Sequence, residues 1–142
     1  MICADTSFLL SYYGEDVFSE RARAHHSTTQ PIHIHSLNRF EFANALRLLV
    51  FRKKISTEQR DSFLSAFEAD KHAGILAFTE VDANDVLFHA EAISVAQAET
   101  LGNRAYDILR VAAAKILGAT DFWSFDGRQR TLAAAEGLTV GP

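Results

Sequence analysis

The chain opens MICADTSFLL, and the residue there that asks for a chemical role is Asp5. A short apolar run, Ile2 to Ala4, ends on a carboxylate that is followed by two hydroxyls, Thr6 and Ser7. Three more acids stand in similarly costly settings. Glu41 lies between Phe40 and Phe42, and its own helical face carries Leu37, Asn44, Ala45 and Leu48, which predicts at least partial burial. Asp107 stands in the first turns of a strongly apolar helical stretch, NRAYDILRVAAAKIL, and Asp126 follows the apolar and aromatic run Asp121 to Phe125. Three of the four have an ordinary explanation. Asp5 would cap the next helix, Asp126 would form a turn with Gly127, and Asp107 suits a helix N-terminus and would pair with Arg104 or Arg110. Four acids on four separate elements are nevertheless more than capping requires. Clustered carboxylates repel one another and are costly to desolvate unless a cation neutralises them. Oxygen-only clusters hold hard cations such as Mg2+ or Mn2+, usually with waters and a substrate phosphate completing the shell.

Such acids need a scaffold, and the chain alternates short strand-like runs with longer helical ones. Strands are predicted at Ile2 to Ala4, Pro31 to His35, Ile75 to Val81 and Asp121 to Phe125, with Leu138 to Val140 as a short edge strand. Helices are predicted over Thr6 to Tyr13, about Asp16 to His26, and from a cap at Ser36 to about Lys53. A capping-box pair, Ser56 and Gln59, opens the next, which runs through Ala73. Others follow over Ala83 to Thr100, Arg104 to Leu117 and from Asp126-Gly127 through Glu136, with Gly74, Gly102, Gly118 and Gly137 as stops. This alternation implies a mostly parallel central sheet with helices on both faces, a three-layer α/β/α sandwich. Ligands of such sheets bind outside the carboxyl ends of the strands, where Asp5 and Asp126 both fall. Asp121 opens its strand, so it belongs to the opposite edge and reads as structural.

At 142 residues the chain fits a single domain, residues 1–142, with 48% apolar and 23% charged residues and no low-complexity tract. Charges break every apolar run before the ~20 residues needed to span a bilayer, and no basic region precedes an apolar stretch at the N-terminus. The expectation is a soluble cytoplasmic protein without a membrane partner, in which the single cysteine, Cys3, is a small buried hydrophobe. A net charge of -4 argues against a surface that attracts nucleic acid everywhere. A local basic patch would draw on Arg47, Arg52, Lys53, Lys54, Arg104, Arg110, Arg128 and Arg130. His33 and His35 alternate on a predicted strand near His25 and His26, but no cysteine pair or carboxylate at ligand spacing supports zinc. Phe8, Phe40, Phe63, Phe67 and Trp123 fall at core spacings, with Trp123 also a candidate to stack on a base. A haloacid-dehalogenase phosphatase would need an aspartate where Ser7 stands, no glycine-rich phosphate loop is present, and Lys115 is poorly placed for a receiver domain.

The segments MICADTSFLL, RFEFANAL, RAYDILRVAAA and GATDFWSFDGRQRTLAAAEGL, in this order and spacing, resemble the PIN-domain ribonucleases, most of all the VapC-type toxins of bacterial and archaeal toxin-antitoxin pairs. The resemblance covers nearly the whole chain. It implies a Mg2+- or Mn2+-dependent endoribonuclease whose acids correspond to Asp5, Glu41, Asp107 and Asp126. On that basis Asp5 and Asp107 are expected to be the principal ligands and Ser7, Asn44 and Ser124 to aim the carboxylates, while one of the outer carboxylates, Glu41 before Asp126 because of its partly apolar setting, takes the proton of the attacking water. It further implies RNA as substrate, products with a 5'-phosphate and a 3'-hydroxyl, a homodimer, and a cognate antitoxin whose C-terminal segment places an arginine in the acidic pocket. One departure stands out: relatives often carry histidine at the position of Arg110. The alternative within the family is a module that keeps the fold and partner surface but cleaves poorly or not at all.

Overall fold

Ile2, Cys3 and Ala4 are buried in succession, and a strand with no exposed residue must be covered on both faces. In the computed structural model, which describes residues 1–26 and 30–142, that strand, β1 (Ile2–Ala4), is the middle of a five-stranded sheet. The others are β2 (Ile32–Ile34), β3 (Leu76–Phe78), β4 (Asp121–Trp123) and β5 (Thr139–Gly141). Their order is β3-β2-β1-β4-β5 and every neighbouring pair is parallel, with Ile2 opposite both Ile32 and Asp121 and Ala4 opposite Trp123. All five carboxyl ends therefore lie on one edge.

The helices divide between the faces according to the two-residue period of the strands. Ile2, Ala4, Ile32, Ile34 and Trp123 share a core with residues of α1 (Thr6–Tyr13), α2 (Ser19–His25), α3 (Ser36–Phe51) and α4 (Thr57–His72), among them Phe8, Phe42 and Phe67. Cys3 and Phe122 point the other way, into a core made with α5 (Ala83–Ile93), α7 (Ala105–Ile116) and α8 (Gly127–Ala135). Burial pushes the Cys3 thiol up to about 12, so it packs as a neutral, unreactive hydrophobe. The three-layer α/β/α sandwich expected from the alternation of elements is the fold observed. Among the described residues no helix is long and apolar enough to cross a membrane.

Boundaries moved where side chains compete with the backbone ladder. The second helix begins at Ser19 rather than Asp16, because the Asp16 carboxylate accepts from the Phe18 N–H at 2.8 Å and from the Ser19 hydroxyl, closing a local turn first. The third begins at Ser36 itself, with His35 in the cap position. There the Asn38 amide oxygen accepts from the His35 N–H at 3.1 Å and its nitrogen donates to the Ala4 carbonyl at 3.0 Å, tying the helix start to β1. The predicted helix over Ala83 to Thr100 is α5, a π-helical turn over Ser94–Ala98, and the short α6 (Glu99–Leu101). It stops at Gly102, whose φ of 64° is left-handed and costly for a residue with a Cβ. The longer predicted spans of β2, β3 and β4 shrink to three residues each, and the edge strand slides by one residue to Thr139–Gly141. For β4 the cause is local, since Ser124 and Phe125 turn away to serve the site described next.

Candidate active site

Asp5 leaves β1 with an extended backbone and at once caps α1, its Oδ1 accepting from the Phe8 N–H at 2.9 Å. Two serines complete its environment. Ser7 Oγ donates to Oδ1 at 2.7 Å, and Ser124 Oγ, arriving from the end of β4, donates to Oδ2 at 2.8 Å. Both serines are fixed in turn, because Phe125 N–H donates to Ser7 and Asp126 N–H to Ser124, each at 2.9 Å. The carboxyl is 1% exposed, and burial pushes its pKa up against these donors and the charge of Arg110. All three contacts are donors, so the site is built for the ionised form.

Beside it opens a cleft of about 620 Å3, walled by α3, by α7 and by Thr6 at the start of α1. Glu41 and Asp107 enter from opposite walls, with side chains that are each 12% exposed. Asp107 caps its own helix through Oδ2, which accepts from the Arg104 N–H at 3.1 Å. Glu41 accepts from the Thr6 hydroxyl at 3.3 Å. Between the two acids lies Arg110. Its Nε and Nη2 donate to the two Glu41 oxygens at 2.5 Å, and its Nη1 reaches Asp107 Oδ1 at 3.5 Å. Burial works against its charge, but the hydrogen bonds and charge of Glu41, with Asp5 and Asp107 beyond, outweigh it and hold Arg110 above the ordinary arginine value. Two acids from two helices thus grip one guanidinium, and Asp5, held by its own donors, feels the charge of Arg110.

Asp126 does not join them. Its carboxylate turns onto α8, accepting from the Arg128 N–H at 2.8 Å and the Gln129 N–H at 3.4 Å, and its link to the cluster runs through Ser124. Asn44 lines the cleft on its exposed side and hydrogen-bonds none of the four acids, so Ser7 and Ser124 alone of the three supporting residues hold a carboxylate here. Trp123 is 4% exposed and packs on Phe8, which removes it as a base-stacking surface. Phe40, by contrast, is exposed on the cleft wall rather than a core residue, together with Leu48 and Tyr106. Asp121 pairs within β4 at the far edge of the sheet. Two residues of the site have no role assigned to them by the sequence. Thr6 is visible only as part of the DTS triplet, and Arg110 is marked as a partner for Asp107 and a departure from the family's histidine, with nothing to tie it to Glu41.

Among the described residues no group of three or more His, Cys, Asp or Glu side chains is arranged to hold a metal ion; Glu41 and Asp107 pair with Arg110, Asp5 with Ser7 and Ser124, and Asp126 with the start of α8. The chemistry of the donor set nonetheless fits a hard cation: its atoms are all carboxylate and hydroxyl oxygens, and two of its acids already pair with a positively charged group.

At the same edge His35 is 3% exposed and its Nδ1 has no partner. Burial lowers its pKa to about 4, against an ordinary value of about 6.5. The neutral ring is thus native, and the unfolded chain takes up a proton that the folded chain refuses. His35 is expected to cost nothing above pH 6.5 and progressively more below it, up to about 3 kcal/mol as the pH falls to 4. Denaturant unfolding of the native protein and of His35→Gln across that range reads the difference directly, and parallel curves for the two would contradict it.

Residues 2–135 match the family described as PIN domain. Among solved structures, VapC20 of Mycobacterium tuberculosis, described as a sarcin-ricin loop cleaving toxin, superimposes with a TM-score of 0.71 at 20% identity over 100% of both chains. FitAcB of Neisseria gonorrhoeae follows at 0.68 and 17% identity, covering 100% of this chain and 97% of that one. VapBC2 of Rickettsia felis, described as bound to a DNA fragment from their promoter, gives 0.64 at 16% identity over 99% and 97%. At these identities the structures establish a shared fold. A search of the curated proteins finds no match.

Proposed function

Since the chain belongs to the PIN domain family, we propose that it is a metal-dependent endoribonuclease, the toxin of a toxin-antitoxin pair. The observation that carries this reading is the pairing of Glu41 and Asp107, from two helices, with one cation beside the buried Asp5 carboxylate at the carboxyl edge of a parallel sheet. Such an arrangement costs stability unless it serves a charged ligand.

Asp5 and Asp107 would be the principal holders of Mg2+ or Mn2+, and Glu41 and Asp126 would support them directly or through water. When bound, the ion supplies charge stabilisation to the scissile phosphodiester and acidifies the attacking water. Glu41, in its partly apolar setting, takes that water's proton. Ser7 and Ser124 donate to Asp5 and aim it, offsetting part of the cost of its burial. Arg104, exposed on the cleft wall, meets the phosphates of an RNA strand, and Tyr106 beside it offers an exposed ring for a base. The exposed apolar residues Phe40 and Leu48 suit the cognate antitoxin or a second copy of the chain in a homodimer.

One observation favours a second reading, that of a poorly cleaving module: both Glu41 oxygens are taken by Arg110, and Asp126 is turned aside. A mixed RNA incubated with the protein and Mn2+ separates the two. The nuclease reading expects fragments bearing 5'-phosphates that disappear with EDTA. An intact RNA at every Mg2+ and Mn2+ concentration supports the binding module.

A further inference from the structure

Arg110 is the one feature of the cleft that a metal site does not call for. Its guanidinium lies between Glu41 and Asp107, it takes both oxygens of Glu41 in a forked pair, and its side chain is 14% exposed. A guanidinium stays protonated at every accessible pH, so it cannot make way for another cation by losing a proton. Nor can it share the position, because a divalent ion held by Glu41 and Asp107 would meet a like charge at contact distance. Without any cation, the two largely buried carboxylates of Glu41 and Asp107 would lose their counter-charge beside the buried Asp5. The cluster therefore has two exclusive ways of being neutralised.

We propose that Arg110 is a tethered counter-ion that latches the acid cluster, so that a divalent metal ion binds only after the guanidinium has left Glu41. This rests on the metal-site reading above and adds a resting state to it. The cleft that Arg110 lines, about 620 Å3, gives the displaced side chain room without disturbing the sheet or the core. Metal affinity is then lowered by the fraction of molecules in which the latch is open. Taking away the charge, and not the length, of residue 110 should release it.

The test is Mn2+ binding to the full chain, followed by calorimetric titration and by the Mn2+-induced rise in melting temperature. The native protein, Arg110→Gln, Arg110→Lys and Asp5→Asn are compared. Arg110→Gln is expected to bind Mn2+ about tenfold or more tightly than the native protein, while Arg110→Lys, which keeps the charge, stays close to native. Should Arg110→Gln unfold without metal, refolding on addition of Mn2+ is the supporting result and failure to refold the opposing one. Equal or weaker Mn2+ binding by Arg110→Gln overturns the latch and leaves the metal site standing. If neither protein shows binding that Asp5→Asn abolishes, the metal-site reading itself fails and the latch goes with it.

Discussion

Asp5→Asn should lower metal-dependent RNA cleavage by about a thousandfold, the scale on which removal of one preorganised electrostatic group is felt. The substitution is nearly isosteric. The amide oxygen can keep the bonds from Phe8 N–H and Ser7, and the Ser124 hydroxyl, now facing an NH2 group, can rotate to accept. Stability is therefore expected to change by only about 1 kcal/mol. The measurement pairs initial cleavage rates with a melting curve for each protein. Lost cleavage with an unchanged melt places Asp5 in the chemistry, whereas full cleavage by Asp5→Asn would make this carboxylate a helix cap and nothing more.

Phe8→Ala carries the largest expected loss of stability, ~3–5 kcal/mol for truncating a fully buried phenylalanine. Phe8 has no exposed surface, and its ring packs at 5.2 Å from Trp123 and at 6.0 Å from both Tyr12 and Phe125, joining α1 to β4. The Asp5 cap uses only the Phe8 backbone N–H, which alanine retains. Denaturant unfolding should show a lower midpoint with an unchanged slope. The folded fraction should still cleave. A drop well under 1 kcal/mol would mean that α1 rests on other contacts.

The fold was legible because its signals are local and periodic. Apolar triplets flanked by helices could build only a sheet buried on both faces, and the glycines before and after β4, Gly118 and Gly137, stop their helices with φ of 74° and 84°. Strand ends were read too long wherever a side chain captured the backbone, as Ser7 does with the Phe125 N–H. Asp5 could be singled out for the same local reason, an acid at the end of a buried run. The meeting of Glu41 with Arg110 could not, since it spans 69 residues and depends on where two helices cross the edge of the sheet. Asp126 shows the converse. Its Asp-Gly turn is plain in the sequence, but spacing alone does not say whether its carboxylate serves α8 or the cleft, and here it serves the helix.

The central claim, that these acids hold a metal ion, is tested most directly by anomalous diffraction from crystals of the protein grown in excess Mn2+. The account predicts a peak in direct contact with Asp5 or Asp107 and within water-bridged reach of Glu41, with the Arg110 side chain swung away from Glu41. A map without a peak in the cleft, with Arg110 still paired to Glu41, would contradict it.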